Sequence, residues 1–141
     1  MSESIEDVFF KYLSADTVLS GLLGASGSDP KIYPIIAQEG ASAPHIVYIR
    51  MGEGSLDEIL DNLRIAIKIT VGSYGFDTAS SIRDRVKALL DLQSNTMPIQ
   101  AFSTDYYIDW CKQNGGMDEV DNETKEVIKI LNFDVIFRKN S

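Results

Sequence analysis

The sequence has few of the features that identify an enzyme, a secreted protein or a membrane protein. It contains one cysteine, Cys111, and one histidine, His45, among 141 residues. A single cysteine cannot form an intrachain disulfide, which is typical of a reducing compartment. No apolar run approaches the roughly 20 residues that cross a bilayer, and residues 1–4 show neither the basic nor the apolar region of a secretory signal. We therefore expect a cytoplasmic protein without a membrane segment.

The sequence also contains fewer basic than acidic residues. The chain has 13 lysines and arginines against 21 acidic residues, which gives a formal net charge of -8. Non-specific binding of nucleic acid needs a basic face that displaces counterions from phosphate. The composition therefore argues against a nucleic-acid-binding protein. It is compatible with an acidic surface along which DNA passes without binding.

The remaining composition is that of one ordinary globular domain. Hydrophobic residues make up 44% and charged residues 24% of the chain, values close to the average for soluble domains. A chain of this length buries about two thirds of its unfolded surface without disulfides or metals. We found no internal repeat and no low-complexity tract, so we expect a single domain over residues 1–141.

Apolar residues at helical spacing predict two main helices. The first carries Ile5, Val8, Phe9, Tyr12 and Leu13 on one side. A short second turn follows, with Asp16 as its N-cap and Gly24 as its C-terminal glycine. The second main helix carries the apolar residues Ala79, Ile82, Val86, Leu89 and Leu90, and we expect Asp77 to be its N-cap.

Alternating apolar residues predict the strands. A short extended segment, 31–34, precedes strands over 45–51 and 63–71, and two further strands follow over 99–110 and 131–138. We interpret residues 51–62 and 112–126 as long acidic loops. The order helix, strand, strand, strand, helix, strand, strand predicts an α+β fold, with a mainly antiparallel sheet of four to five strands and both main helices on one face.

The alternation also assigns side chains to the two faces of the sheet. Leu63, Ile65, Ile67, Ile69 and Val71 belong to the core face. Arg64, Ala66, Lys68 and Thr70 belong to the opposite face, which we expect to be wet or to lie at a subunit boundary. In the next strand we assign Phe102, Tyr106 and Trp110 to the core and Tyr107 to the opposite face, where it could contact a partner.

No set of residues forms a convincing catalytic or metal-binding motif. His45 lies far from Cys111 in the sequence, and nothing marks either residue as an activated nucleophile or base. Asp118, Glu119 and Asp121 lack the alternating spacing of a calcium loop, so we interpret them as part of a solvated hairpin loop. We therefore predict neither enzymatic activity nor a cofactor or metal.

Several segments, in this order and spacing, resemble the tail-terminator (tail-completion) proteins of long-tailed bacteriophages. The most distinctive is 43–48, Ala-Pro-His-Ile-Val-Tyr, at the start of the second strand. The others are Leu19, Leu22, Leu23 and Gly24; the segment 31–34; Arg64 with Ile65, Ile67 and Ile69; and the helix of Ala79, Ile82, Val86 and Leu89. The resemblance covers about residues 5–138.

The resemblance implies a small α+β subunit that assembles as a ring, commonly a hexamer, on the end of the phage tail tube. Such rings stop tube growth and form the surface that joins the DNA-filled head. The implied partners are further copies of the chain, the tail tube protein, the head–tail connector protein and DNA that passes through without specific binding. The implied location is the tail–head junction of the virion, after assembly in the host cytoplasm.

The same resemblance places the loop over residues 51–62 near the ring channel or a neighbouring subunit. With the opposite sheet face, it gives a set of candidate channel and interface residues: Arg50, Glu53, Asp57, Glu58, Asp61, Arg64, Lys68 and Tyr107. An acidic channel would repel phosphate and ease the passage of DNA. Two alternatives stay open: a head–tail connector adaptor or other non-enzymatic α+β binding module, and a hydrolase that uses the acidic loops.

Overall fold

The computed structural model describes residues 4–26, 29–34, 42–55, 61–91 and 98–139, without the side chains of 51–55, 61 and 139. Its elements follow the chain in this order: α1 (Ile5–Ala15), α2 (Thr17–Leu23), β1 (Ile32–Pro34), β2 (His45–Ser55), β3 (Asp61–Ser73), α3 (Phe76–Leu90), a 3-10 helix (Pro98–Phe102), β4 (Tyr106–Val120) and β5 (Glu126–Lys139).

The strands form one five-stranded sheet in the order β1-β2-β3-β5-β4. The β2–β3, β3–β5 and β5–β4 pairs are antiparallel, whereas the short β1 runs parallel to β2. The predicted α+β class and element order are confirmed. The parallel β1–β2 pair makes the sheet mixed.

The hydrophobic core lies between the helices and one face of the sheet. β3 contributes every second residue from Leu63 to Val71, as the alternation predicted, and β5 contributes Phe133 and its neighbours at the same spacing. Phe9 of α1, Leu19 of α2 and Ile82 of α3 cover this face and are fully buried. Burial of each such side chain contributes about 1.5–3 kcal/mol.

Asp16 joins the three helices at one point. Its carboxylate accepts a hydrogen bond from the backbone N–H of Leu19 at 2.8 Å and thereby caps α2, as predicted. The same carboxylate accepts two hydrogen bonds from Arg85 of α3, at 2.8 and 2.5 Å. This paired hydrogen bonding to Arg85 is the main reason why the pKa of Asp16 is lowered. Gly24 ends α2 with a left-handed φ of 68°, also as predicted.

α3 begins earlier than predicted. Its first residue is Phe76 and its N-cap is Gly75, which makes no side-chain capping bond, so the assignment of Asp77 as the N-cap was wrong. A Cβ on Gly75 would lie 2.6 Å from Cγ1 of Val71, so the backbone at this position leaves no room for a side chain.

The predicted strand over 99–110 was wrong in its first half. Pro98–Phe102 is a 3-10 helix, and β4 begins at Tyr106. The side-chain amide of Gln100 then lies along the outer edge of β4, where it accepts from the backbone N–H of Ile108 at 2.9 Å and donates to the carbonyl of Tyr106 at 2.8 Å. Gln100 thus satisfies backbone groups that a further strand would otherwise bind.

The two segments interpreted as acidic loops are mostly strand. β2 continues to Ser55 and pairs with β3 from its first residue, Asp61, so only residues 56–60 of the predicted 51–62 loop lie outside the described residues. β4 continues to Val120 and is joined to β5 by residues 121–125. Cross-strand pairing keeps these polar segments extended, which composition alone does not indicate.

A β-bulge explains a wrong face assignment in β4. A bulge between Ile108 and Trp110 reverses the alternation, so Trp110 pairs with Ile136 on the helix-free side while Cys111 is fully buried in the core. Phe102 and Tyr106 do pack on the core side, with ring contacts at 5.5 Å to Tyr12 and Phe137 respectively. Alternation fails here because a bulge adds a residue to one strand only.

Candidate assembly surface

The face of the sheet that points away from the core is covered by none of the described helices, and we call it the open face. Its residues come from all five strands and alternate with the core residues in register. Tyr33, Val47 and Ala66 are buried on it but lie outside the main hydrophobic core. Its remaining described members include His45, Ile49, Arg64, Lys68, Thr70, Tyr107, Asp109, Trp110, Lys112, Asn114, Met117, Glu119, Ile128, Ile130, Asn132, Asp134, Ile136 and Arg138.

Ion pairs fix part of the open face. Nε of Arg64 on β3 donates to Oδ1 of Asp134 on β5 at 3.0 Å, and the amide of Asn114 on β4 donates to Oδ2 of Asp134 at 2.6 Å. Further along, Arg138 lies 3.5 Å from Asp109 and places its guanidinium 4.9 Å from the ring centre of Tyr107. Each exposed pair is worth about 1 kcal/mol or less, so these contacts mainly hold the side chains in place.

Apolar side chains lie between these charges. Ile49, Ile128, Ile130 and Ile136 are half-buried, and Tyr107 is 46% exposed. A mixture of half-buried aliphatic residues, an exposed aromatic ring and ordered arginines is typical of protein interfaces. This composition makes the open face a candidate surface for assembly.

The structure brings together only part of the predicted interface set. Arg64, Lys68 and Tyr107 all lie on the open face. Arg50, which we grouped with them, instead points to the helix side of the sheet and forms an ion pair with Glu6 of α1. The interface role of all of these residues stays a prediction.

The four acidic members of that set are described only in part. Glu53 pairs with Leu63 and Asp61 with Ser55 along the β2–β3 ladder, but the side chains of Glu53 and Asp61 are not among those that the structure describes. Asp57 and Glu58 fall wholly outside the described residues. Their place at a channel or interface remains a prediction.

The charges on the open face are balanced. Its described part carries four basic and four acidic side chains, and these are Arg64, Lys68, Lys112 and Arg138 against Asp109, Glu119, Glu126 and Asp134. The net charge of -8 therefore resides elsewhere on the chain. Which surface lines a channel in an assembled ring is not tested by this balance.

The two residues with nucleophile or base chemistry lie on opposite faces of the sheet. His45 is on the open face at the start of β2, with its ring centre 6.0 Å from that of Tyr33. Cys111 is on the core face and fully buried, and this burial strongly raises the pKa of its thiol. The pair cannot cooperate, because the sheet separates them.

The other perturbed groups have structural causes. The hydroxyl of Tyr12 donates to the carbonyl of Leu89 at 2.7 Å, and burial raises the pKa of Tyr12 to about 12. Within the described ranges, no three potential ligand side chains are grouped closely enough to hold a metal ion. No helix in the described part of the chain is long and apolar enough to span a membrane.

The sequence interpretation missed one further surface, at the end of the sheet where β3 leads into α3. Tyr74 and Phe76 are 69% and 50% exposed there, and Val120 at the end of β4 is 45% exposed. A signal was present in the sequence, because two aromatic residues flank a glycine in a turn, where exposure is the rule. We had interpreted that turn only as a connection.

Comparison with known proteins supports the fold. No family of known proteins matches the sequence, and no curated protein matches it either. The structure is similar to a chain of the virion of a native gene transfer agent particle, with a TM-score of 0.65 and 16% sequence identity. The similarity covers 94% of this chain and 92% of that chain, so the α+β architecture extends over nearly the whole length of both.

Proposed function

We propose that this chain is a structural, non-enzymatic protein of a phage or phage-like virion that forms a ring, a hexamer, on the end of the tail tube. In this role it ends tube growth and provides the surface that joins the tail to the head connector, while DNA passes through the ring without specific binding. The similarity to a virion chain over nearly the full length carries the proposal. The segment pattern of tail-terminator proteins is independent support.

The sheet topology suits a ring. β4 and β1 are the two outer strands, and they differ in length, neighbours and direction. A contact between two different surfaces repeats head to tail and closes into a ring when the rotation allows. The open face, with its half-buried isoleucines and ordered arginines, supplies further area for subunit or partner contacts.

The edge of β4 also restricts how such a ring can form. Gln100 occupies the outer backbone groups of Tyr106 and Ile108, so this stretch is closed to a neighbouring strand. Any backbone pairing through β4 would have to use the part of the strand beyond Ile108.

Native mass and tube binding test the proposal. A hexamer of this 15.6 kDa chain would have a mass of about 94 kDa by light scattering on a sizing column. The chain should also bind purified tail tubes of the same virus and stop their elongation. A chain that stays monomeric and leaves tube elongation unchanged would contradict the proposal.

A further inference from the structure

An exposed apolar patch occupies one end of the molecule, and we call Tyr74, Phe76 and Val120 the end patch. Among the described residues, six large hydrophobic side chains are exposed, and three of them belong to this patch. They lie at the same end of the sheet, because Val71, Val127 and Val120 are cross-strand neighbours on β3, β5 and β4, and Tyr74 follows three residues after Val71. Exposed apolar groups concentrated at one place are typical of a contact surface.

The backbone beneath the end patch is tied to the neighbouring hairpin. Tyr74 has a left-handed φ of 57°, and its N–H donates to the carbonyl of Lys125 at 3.1 Å. The hydroxyl of Ser73 donates to the carbonyl of Thr124. The two turns therefore hold each other and fix the backbone of Tyr74, which lowers the backbone entropy lost when a partner binds.

The hairpin itself is fixed by Asp121. Its carboxylate accepts from the N–H groups of Glu123 and Thr124 at 2.9 and 3.0 Å, and its carbonyl accepts from the N–H of Lys125. These backbone hydrogen bonds lower the pKa of Asp121. Its carboxylate is therefore ionised at neutral pH and keeps accepting the hydrogen bonds that hold the turn. The end patch is thus a preformed surface.

The charge around the end patch is negative. Asp77, Asp121 and Glu123 are exposed at the same end of the sheet. The ammonium group of the nearby Lys125 donates to the carbonyl of Asn122 at 2.7 Å. An acidic rim around an apolar centre repels DNA phosphate and attracts a protein surface that is basic around an apolar depression.

A second copy of this chain is a poor match for that rim. Six of its basic side chains already form ion pairs within the chain, and these are Arg50, Arg64, Arg83, Arg85, Lys129 and Arg138. The complementary surface is more readily offered by another protein.

We propose that the end patch docks onto a different virion protein whose contact surface is basic around an apolar depression. This inference rests on the proposed role in a virion ring and adds to it which end of the subunit meets the next component. The surface that joins the copies to one another is then elsewhere, on the strand edges or the open face.

The experiment compares a double variant, Tyr74→Asn with Phe76→Ser, with the wild-type chain. Asparagine tolerates the left-handed conformation at position 74, and both side chains are exposed, so the fold should be retained. Val18→Ser on α2 is the matched control, because Val18 is 52% exposed and lies outside the patch. The probes are purified tail tubes and purified DNA-filled heads of the same virus, with binding measured by cosedimentation at two salt concentrations.

We expect the double variant to keep its native mass and to bind one of the two probes at least about tenfold more weakly, since truncated anchor residues dominate interface energies. Glu123→Lys should weaken the same binding, and its effect should shrink at high salt. Unchanged binding of the double variant to both probes would overturn the inference alone. Loss of the native mass would also overturn it, because the occupant would then be a second copy. Wild-type chain that binds neither probe would refute the proposed function and the inference together.

Discussion

Replacing Gln100 with alanine tests how the outer edge of β4 is protected. The change removes one hydrogen bond at 2.9 Å to the N–H of Ile108 and one at 2.8 Å to the carbonyl of Tyr106. Each lost hydrogen bond costs about 0.5–1.5 kcal/mol, and an unsatisfied buried group costs more.

We therefore expect Gln100→Ala to lower the free energy of unfolding by about 2 kcal/mol. For a domain of this size that corresponds to a fall in Tm of about 6–10 °C, measurable by circular dichroism or calorimetry. The Tm of Gln100→Glu should lie between those of Gln100→Ala and the wild-type chain, because a carboxylate still accepts from the N–H of Ile108 but repels the carbonyl of Tyr106. The freed backbone groups should also promote strand pairing between molecules, seen as a rise in light scattering.

Gln113→Ala is the matched control for this prediction. Gln113 lies on the same strand and makes only a long contact of 3.4 Å to the carbonyl of Gly115, so its loss should change Tm little. If Gln100→Ala and Gln113→Ala unfold at the same temperature as the wild-type chain, the amide of Gln100 does not protect the edge, and our account of β4 is wrong.

Three further predictions concern Asp16, Cys111 and Gly116. Asp16→Asn keeps a capping residue but loses the charge that pairs with Arg85, so it should lower stability by about 1 kcal/mol at pH 7. Folding lowers the pKa of Asp16, so the stability difference between the wild-type chain and Asp16→Asn should have its full size above the unfolded-state pKa of about 3.9. It should disappear as the pH falls through the lower folded-state pKa. Urea titrations at a series of pH values from 7 to 3 measure this difference. Cys111 should resist thiol reagents in the native protein and react fully in denaturant, since burial raises its pKa; fast labelling of the native form would contradict its burial. Gly116→Ala would place a Cβ 2.5 Å from the carbonyl oxygen of Ile130, and this clash should destabilise the chain by about 1–3 kcal/mol. Gly21→Ala is the control, because Gly21 is exposed and a Cβ there would meet no atom within 4 Å, so it should cause no clash.

Local patterns were sufficient for the elements that carry a strong period. The helices α1 and α3 and the strand β3 follow from apolar spacing alone, because one face of each had to be buried. The caps at Asp16 and Gly24 follow from the chemistry of those residues at helix ends. The class of the fold and the order of its elements could be predicted for the same reason.

Long-range contacts decided the rest. The polar halves of β2 and β4 are strands because a partner strand pairs with them, although nothing in their composition favours extension. The bulge after Ile108 moved Trp110 to the open face and Cys111 into the core, which a strict alternation cannot anticipate. Arg50 lies on the helix side of the sheet, away from Arg64, Lys68 and Tyr107, and forms an ion pair with Glu6, 44 positions earlier in the chain.

The sequence by itself determined an acidic α+β protein and the pattern that resembles tail-terminator proteins. Only the tertiary structure showed that Gln100 covers part of the edge of β4, that the open face is balanced in charge, and that the exposed Tyr74, Phe76 and Val120 lie at the same end of the sheet. The physical reason is that periodicity reports which side of an element is buried. The neighbours that an exposed side or edge meets depend on how distant segments pack.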